Sequence, residues 1–247
     1  MEWKIIHINE TDSTNRWLFD QGGEDGTVVW TDFQTAGRGQ GTNRWESERG
    51  QNLLFSILLH PKDIPANKQF SISMQVSLAI CEALGEHIGN LSIKWPNDIY
   101  WRDKKVAGIL IENAIVGSEI KYSIAGIGLN VNQTEYVSNA PNPISLKQIS
   151  GKEYDIHELM QNLYAGVQRA LDEDVWTEYK AHLYRKEGFW PFVEREVSVA
   201  PTMNAAADTE GIFMARIADV MPTGEIVLED QAGKERKYHY KQIRYVV

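Results

Sequence analysis

A single cysteine, Cys81, excludes an internal disulfide and fits a reducing compartment. It lies in the apolar pattern around Ile80 and Leu84, so it reads as a small buried core residue rather than a nucleophile. No stretch is long and apolar enough to cross a membrane as a helix. The first residues, Met1-Glu2-Trp3-Lys4, put no basic region ahead of an apolar one, so no secretory signal is visible. These lacks predict a cytoplasmic protein without a membrane partner. Positive charge is also scarce. Lys and Arg number 25 against 34 Asp and Glu, for a formal net charge of −9. General nucleic-acid binding needs a basic face, so no DNA partner is expected. His60, His87, His157, His182 and His239 show no metal-ligand spacing, and His7 sits on a first strand with no assigned role. Repeats and low-complexity segments are missing.

What is present is enough for one large domain with room for a small one, since 247 residues bury a substantial core. Residues 4–8 read as a strand and 14–20 as a helix, with Asp12 or Ser13 as its N-cap. A strand at 28–33 leads into a glycine-rich loop, and 52–59 is a strand closed by Pro61. Residues 69–87 are apolar on several faces, as in a buried helix. Strands follow near 91–95, 98–101, 106–113 and 120–130. Asp155 and Glu158 form an N-terminal capping box, after which Ile156, Leu159, Met160, Leu163, Val167, Ala170 and Leu171 recur at helical spacing. From about Phe192 the helical period vanishes. Short strand-like runs at 197–200, 212–220, 226–229, 237–240 and 243–247 are separated by turns at Pro222-Thr223-Gly224 and Gln231-Ala232-Gly233. Five short strands suggest a small barrel.

Four motifs carry chemistry. Residues 35–45, TAGRGQGTNRW, place three glycines within five residues around Arg38, followed by Arg44 and Trp45. Glycine lets backbone N–H groups approach an anion closely. Arginine adds a fork of donors suited to phosphate or carboxylate, and tryptophan adds a flat face. The second motif is Lys94-Trp95-Pro96-Asn97-Asp98. In the third, Lys104-Lys105 enters a strand, Val106 to Glu112, that holds Gly108. A glycine inside a strand often marks close approach of a ligand or backbone. The fourth, 125–132, carries Gly126 and Gly128 at alternate positions, which clears one patch on one face. Near the N-terminus, Asp12-Ser13-Thr14-Asn15 offers hydroxyl and amide groups.

In this order and spacing the set resembles the biotin protein ligase family, from about residue 9 to 132 and onward to the C-terminus. The resemblance implies an α+β fold, a mixed sheet flanked by helices of the class II synthetase-like kind. It divides the chain into a catalytic domain at 1–188 and an SH3-like C-terminal barrel at 189–247. It implies ATP-dependent attachment of biotin to a lysine of a biotin carboxyl carrier protein domain, through biotinyl-5′-AMP. ATP and biotin are then substrates, with Mg2+ as cofactor and its ligands unassigned. A monomer or weak homodimer is expected. Some members carry an N-terminal helix-turn-helix. Here the DSTN motif begins at residue 12, so the enzyme-only form is expected.

The roles follow the resemblance. Ser13, Thr14 and Asn15 match the ureido-ring contacts, a role that can coexist with helix capping. Gln34 matches a glutamine beside biotin; the bland alternative is a solvated loop residue. Gly37, Arg38, Gly39 and Gln40 belong to the loop that folds over the ligand, with Arg38 toward the biotin carboxylate or the α-phosphate. Trp45 shields the adenylate or anchors the loop in the core. Lys105 bridges carboxylate and phosphate, Lys94 faces the triphosphate, and Asp98 orients the incoming amine or assists magnesium. Gly108, Gly126 and Gly128 leave room for the biotin rings and tail, and Asn130 reads adenine. Trp95, Pro96 and Asn97 shape a turn. One departure stands out: many members have basic residues where this chain has Gln40 and Asn43. Arg44 is the nearby substitute. Two alternatives remain, a lipoate protein ligase and a non-catalytic binding module of the same fold.

Overall fold

Leu53–Leu59 is apolar except for Ser56, and every residue of it is buried. A strand buried on both faces belongs in the middle of a sheet, not at its edge. The computed structural model, which describes residues 4–62, 64–137, 142–170, 175–195 and 211–246, places it there.

In chain order the first elements are β1 (Ile5–Ile8), α1 (Thr14–Gln21), β2 (Val28–Thr31) and β3 (Leu53–Leu59). Next come α2 (Phe70–Gly85), β4 (Leu91–Lys94), β5 (Asp98–Trp101), β6 (Lys104–Val116) and β7 (Glu119–Leu129). Three helices follow: α3 (Leu146–Ser150), α4 (Ile156–Ala170) and α5 (Trp176–Ala181). The chain ends in β8 (Trp190–Glu194), β9 (Ile212–Val220), β10 (Ile226–Asp230), β11 (Glu235–Tyr238) and β12 (Ile243–Tyr245).

The first sheet has seven strands in the order β1-β2-β3-β7-β6-β5-β4. It is mixed, because β1 and β2 run parallel while the other neighbours are antiparallel. Its two faces differ. Phe55, Ile57, Ala125, Ile127 and Ile109 belong to the main core with residues of α2 and α4. That side is closed by helix packing, and α4 meets α2 where Gly166 faces Ala79. On the other side, Leu58, Ile124 and Val29 pack with Leu18 and Trp17 of α1 and with Ile6, Ile8 and Tyr122 of the sheet itself. The short helix covers one end of that face. Among the described residues no helix is long and apolar enough to cross a membrane. Cys81 is buried in α2, and burial pushes its thiol up to about 12. A thiol so held is not a nucleophile near neutral pH.

The C-terminal part corrects the sequence reading. Among the described residues five strands are found, and they form an open sheet in the order β11-β10-β9-β8-β12, not a closed SH3-like barrel. Closure requires the two terminal strands to pair with each other. Among the described residues the terminal strands have four and three residues, and each pairs only with its inner neighbour, β10 or β8. The expected strand at 197–200 lies outside the described residues. The strand that starts the sheet is Trp190–Glu194, which the reading missed. This sheet adds Phe192, Ala215, Val220, Ile226 and Tyr245 to the core of the first one. Trp95 Nε1 donates to the Gly224 carbonyl at 3.0 Å and links the two.

Helix starts were only partly readable. Asp155 Oδ1 accepts from the amides of His157 and Glu158, at 2.8 and 3.0 Å, and so caps α4. A reciprocal capping box instead joins Ser145 and Gln148 at α3. Replacing a carboxylate cap leaves helix-end donors without a partner. Asp155→Ala should therefore cost about 0.5–2 kcal/mol, read from urea unfolding at constant m-value; an unchanged midpoint would show that water replaces the cap.

Candidate active site

The half-covered face of the first sheet holds the site. Strand register sets Lys94, Asp98, Gly108, Gly128 and Leu54 in one cross-strand row. Leu110, Gly126 and Ser56 form the next row on the same face. Three glycines in adjoining rows leave the sheet backbone bare. A Cβ at Gly128 would sit 2.8 Å from Trp45 Cδ2, and one at Gly108 would sit 2.9 Å from Trp45 Cζ3. A Cβ at Gly126 would strike Asn15 Oδ1.

Lys105 needs a special device to reach this face. It lies three residues before Gly108, and a regular strand would turn the two to opposite sides. The β5–β6 register shifts here: Ile99 pairs with Ala107, but Tyr100 pairs with Lys105. Val106 is the extra residue of a bulge, and a bulge re-aims the side chains beyond it. Lys105 consequently points over the floor, its Nζ 2.6 Å from Asp98 Oδ1. The bulge is pinned by Asn130 N–H donating to the Val106 carbonyl at 2.9 Å. Asn130 Nδ2 also donates to the Lys105 carbonyl at 3.4 Å. The segment at 142–144 brackets Lys105 through two more backbone bonds.

At one end of the floor, the start of α1 supplies a buried polar patch. Ser13, Thr14 and Asn15 are 3–4 % exposed. Ser13 stands at the N-cap but its side chain makes no capping bond. Gln34 does that work from a distance, its Oε1 accepting from Thr14 N–H at 2.8 Å. Ser56 Oγ lies 2.6 Å from both Thr14 Oγ1 and Asn15 Oδ1. A hydroxyl has one proton, so it can donate to only one of them. Asn15 Nδ2 donates to Glu112 Oε2 at 2.8 Å.

The glycine loop closes over the middle as a small hairpin. Arg38 and Arg44 are bridge partners, and Gly39 N–H donates to the Asn43 carbonyl at 2.9 Å. Arg38 Nη2 donates to Glu112 Oε2 at 2.5 Å, which ties the loop to the polar patch. Two polar atoms of this loop are buried without a partner, Gln40 Oε1 and Trp45 Nε1. Such groups usually find partners in a native structure. They are the groups a bound ligand or a loop shift would satisfy.

Cations dominate the far end. Lys94 Nζ donates to the Tyr100 hydroxyl at 2.8 Å and lies 5.4 Å from the centre of the Tyr245 ring. Burial lowers its pKa to about 8; Lys105 and Arg185 push the same way, and Asp98 opposes them. Arg195, Tyr240, Lys241, Arg244 and Tyr245 of the second sheet complete this end.

Of the residues given a binding or catalytic role from the sequence, all but Gly37 line one cleft of about 670 Å³. They are Ser13, Thr14, Asn15, Gln34, Arg38, Gly39, Gln40, Trp45, Lys94, Asp98, Lys105, Gly108, Gly126, Gly128 and Asn130. That volume is typical of a small-molecule site. Ser56 and Glu112, which bond to Thr14, Asn15 and Arg38 of this lining, were missed. Ser56 had a signal, a lone hydroxyl in an otherwise apolar buried strand. Tyr240, Lys241 and Tyr245 had none. Asn97 Nδ2 donates to the Ile109 carbonyl at 2.7 Å, so it holds the turn against β6. No group of three or more His, Cys, Asp or Glu suited to a metal occurs among the described residues.

A glycine-floored cleft with a donor–acceptor patch at one end and cations at the other suits a polar-headed acid beside a polyanion. The sequence pattern of the Biotin/lipoate A/B protein ligase family matches residues 7–130, and the chain belongs to that family. It is 30% identical over 240 residues to the bifunctional ligase/repressor BirA of Bacillus spizizenii, covering 94% of this chain and 70% of that protein. The Escherichia coli BirA is 29% identical over 189 residues, covering 74% of this chain and 55% of that one. Among solved structures, the biotin protein ligase of Aquifex aeolicus in complex with biotin and ATP superposes with a TM-score of 0.77. It is 25% identical and covers 98% of this chain and 99% of its own.

The charge layout has a measurable consequence. Lys105 helps to hold the Lys94 pKa down. In Lys105→Met that repulsion is gone and Asp98 faces Lys94 alone, so both changes favour protonated Lys94. The NMR titration midpoint of the Lys94 ε-group should lie near 8 in the parent chain and move upward in the variant. A downward or absent shift would mean the two lysines do not sense each other.

Proposed function

We propose that this chain attaches biotin to a lysine of a biotin carboxyl carrier protein domain, consuming ATP and passing through biotinyl-5′-AMP. The observation that carries this reading is Lys105, brought by the bulge over the bare floor, its Nζ beside Asp98 and against Gly108. Activation brings two anions together, a carboxylate and the α-phosphate. A fixed cation at the meeting point stabilises the charge that builds on the phosphate oxygens.

In the first step a carboxylate oxygen of biotin attacks the α-phosphorus, and the bond to pyrophosphate breaks. In the second, the acceptor amine attacks the acyl carbon, the amide forms, AMP leaves and one proton is released. Ser13, Thr14, Asn15 and Gln34 receive the ureido ring, which both donates and accepts hydrogen bonds. Gly108, Gly126 and Gly128 give the rings and tail a surface to lie on. Gly39 and Gln40 cover the ligand, and Arg38 exchanges Glu112 for the ligand's carboxylate or phosphate. Lys94 faces the triphosphate, Trp45 shields the adenylate and Asn130 contributes to adenine recognition. Asp98, already beside Lys105, orients the acceptor amine. Magnesium typically enters on substrate phosphates with one or two protein carboxylates, and Asp98 is the carboxylate beside the lysines. The second sheet begins at Trp190, and we take residues 1–188 and 189–247 as two units of one ligase.

The polar patch favours biotin over lipoate. A dithiolane ring offers no N–H or C=O groups, and a site built for hydrogen bonds rejects an analogue that lacks them. The test is which acid drives exchange of pyrophosphate into ATP: biotin should, lipoate should not. Exchange with lipoate alone, or with neither acid, would sink the reading.

Two further outcomes follow from the roles. Lys105→Ala should lower biotin-dependent exchange by roughly a hundredfold to a thousandfold, the usual effect of removing one preorganised stabiliser. A rate within about threefold of the parent would remove Lys105 from the chemistry. Trypsin cleavage after Arg38 or Arg44 should slow when biotin and ATP are added, because ligand contacts order the loop. Equal cleavage rates would show that the hairpin does not respond.

A further inference from the structure

The tip of the glycine hairpin, Gln40-Gly41-Thr42, carries no charge, although the reaction proposed above leaves an anionic adenylate beneath it. Lys241 reaches this tip from the second sheet. A Cβ placed on Gly41 would lie 2.6 Å from Lys241 Nζ and 2.8 Å from its Cε. Lys241 also lines the cleft with Lys94, Asp98 and Lys105. Its own backbone is unusual: φ is 75°, in the left-handed region that non-glycine residues rarely enter. The turn that holds it there is fixed twice, by Gln242 N–H donating to the His239 carbonyl at 3.1 Å and by Gln242 Oε1 accepting from His239 N–H at 2.7 Å. Among the described residues Lys241 has no salt-bridge or hydrogen-bond partner. Gly41 has a φ of 69°, so a side chain there would face both backbone strain and the lysine.

We infer that Lys241 is a ligand-binding residue that supplies the cation the loop lacks, contacting the phosphate of the acyl-adenylate and slowing its escape. Arg44 is a poorer candidate. It is the bridge partner of Arg38 in the hairpin, and directly opposed residues of an antiparallel pair project to the same side. It therefore stands beside the arginine that Glu112 holds, away from the tip. Lys241 contributes from the opposite wall and closes the cleft across the two sheets. This inference rests on the adenylation reading.

The test is the rate at which preformed biotinyl-adenylate leaves the full chain without acceptor. The variants are Lys241→Met, which keeps the stem, and Lys241→Arg, which keeps the charge. A charge-assisted bond lost here should speed release in Lys241→Met at least about tenfold. Lys241→Arg should stay within about threefold of the parent, and added salt should speed release less in Lys241→Met than in the parent. Binding of biotin alone, which has no phosphate, should be unchanged in Lys241→Met. Release within threefold of the parent would overturn the inference while biotin-dependent exchange leaves the function standing. Equal weakening of biotin and adenylate would overturn it as well, by showing that Lys241 only holds the loop. Loss of exchange in the parent chain itself would overturn the function and this inference together.

Discussion

Strand alternation is the constraint on which the site turns. Positions 105 and 108 differ by an odd number, so a regular β6 could offer the floor a glycine or a lysine, not both. The extra residue Val106 removes the conflict. Its side chain is buried, its carbonyl is held by Asn130, and Lys105 is bracketed by 142–144. Much of the surrounding architecture therefore serves one displacement of a single residue. The cost is local: one unpaired strand position, offset by hydrogen bonds from neighbouring segments.

Two cations of the cleft are held by carboxylates. Lys105 is paired with Asp98 and Arg38 with Glu112. Each carboxylate keeps its partner aimed, and each must give way to a ligand anion. The gain on binding is thus a difference between two ion pairs, smaller than the attraction of the ligand for a free cation. What tips the balance is that a ligand phosphate presents more acceptor oxygens than one carboxylate. A ligand can also satisfy the buried Gln40 Oε1 and Trp45 Nε1. Lys94 adds a further bias. Burial makes its charged form expensive, so a polyanion that enters beside it stabilises the protonated state and is held more firmly in return.

Legibility in the sequence followed the range of the signal. Lys105 and the three strand glycines line the cleft from the long strands β6 and β7, Lys94 and Asp98 from the short β4 and β5, and Arg38 from the glycine hairpin, and each was legible as part of a contiguous motif. The core helices at 70–85 and 156–170 announced themselves by their apolar faces. The five-residue α3 and six-residue α5 are too short to show a period. The bulge was invisible, since a pattern of apolar and polar residues does not count hydrogen bonds. The barrel expectation failed for a related reason: five strands can be counted from turns and alternation, but closure depends on whether the terminal strands meet. The lengths of β11 and β12 and their pairing with inner neighbours decide against it. Lys241 lies in a turn with no motif, so only the three-dimensional contact with Gly41 singles it out.

The open second sheet then has a structural reason to be where it is. Trp95, in the turn between two strands of the catalytic floor, is 4 % exposed and donates to the Gly224 carbonyl. Gly224 in turn lies against Phe70 at the start of α2. Lys180 on α5 pairs with Asp219 at 3.1 Å, and Arg185 Nη1 donates to the Val246 carbonyl at 2.6 Å. These contacts span the length of the junction and join a continuous apolar core. Such a junction fixes the second sheet as a wall of the cleft. A wall held in this way can present Tyr240, Lys241 and Tyr245 at defined positions without belonging to the strands that carry the motifs. The division of labour is physical: the first sheet fixes the floor and Lys105, and the second fixes the far wall against which the hairpin closes.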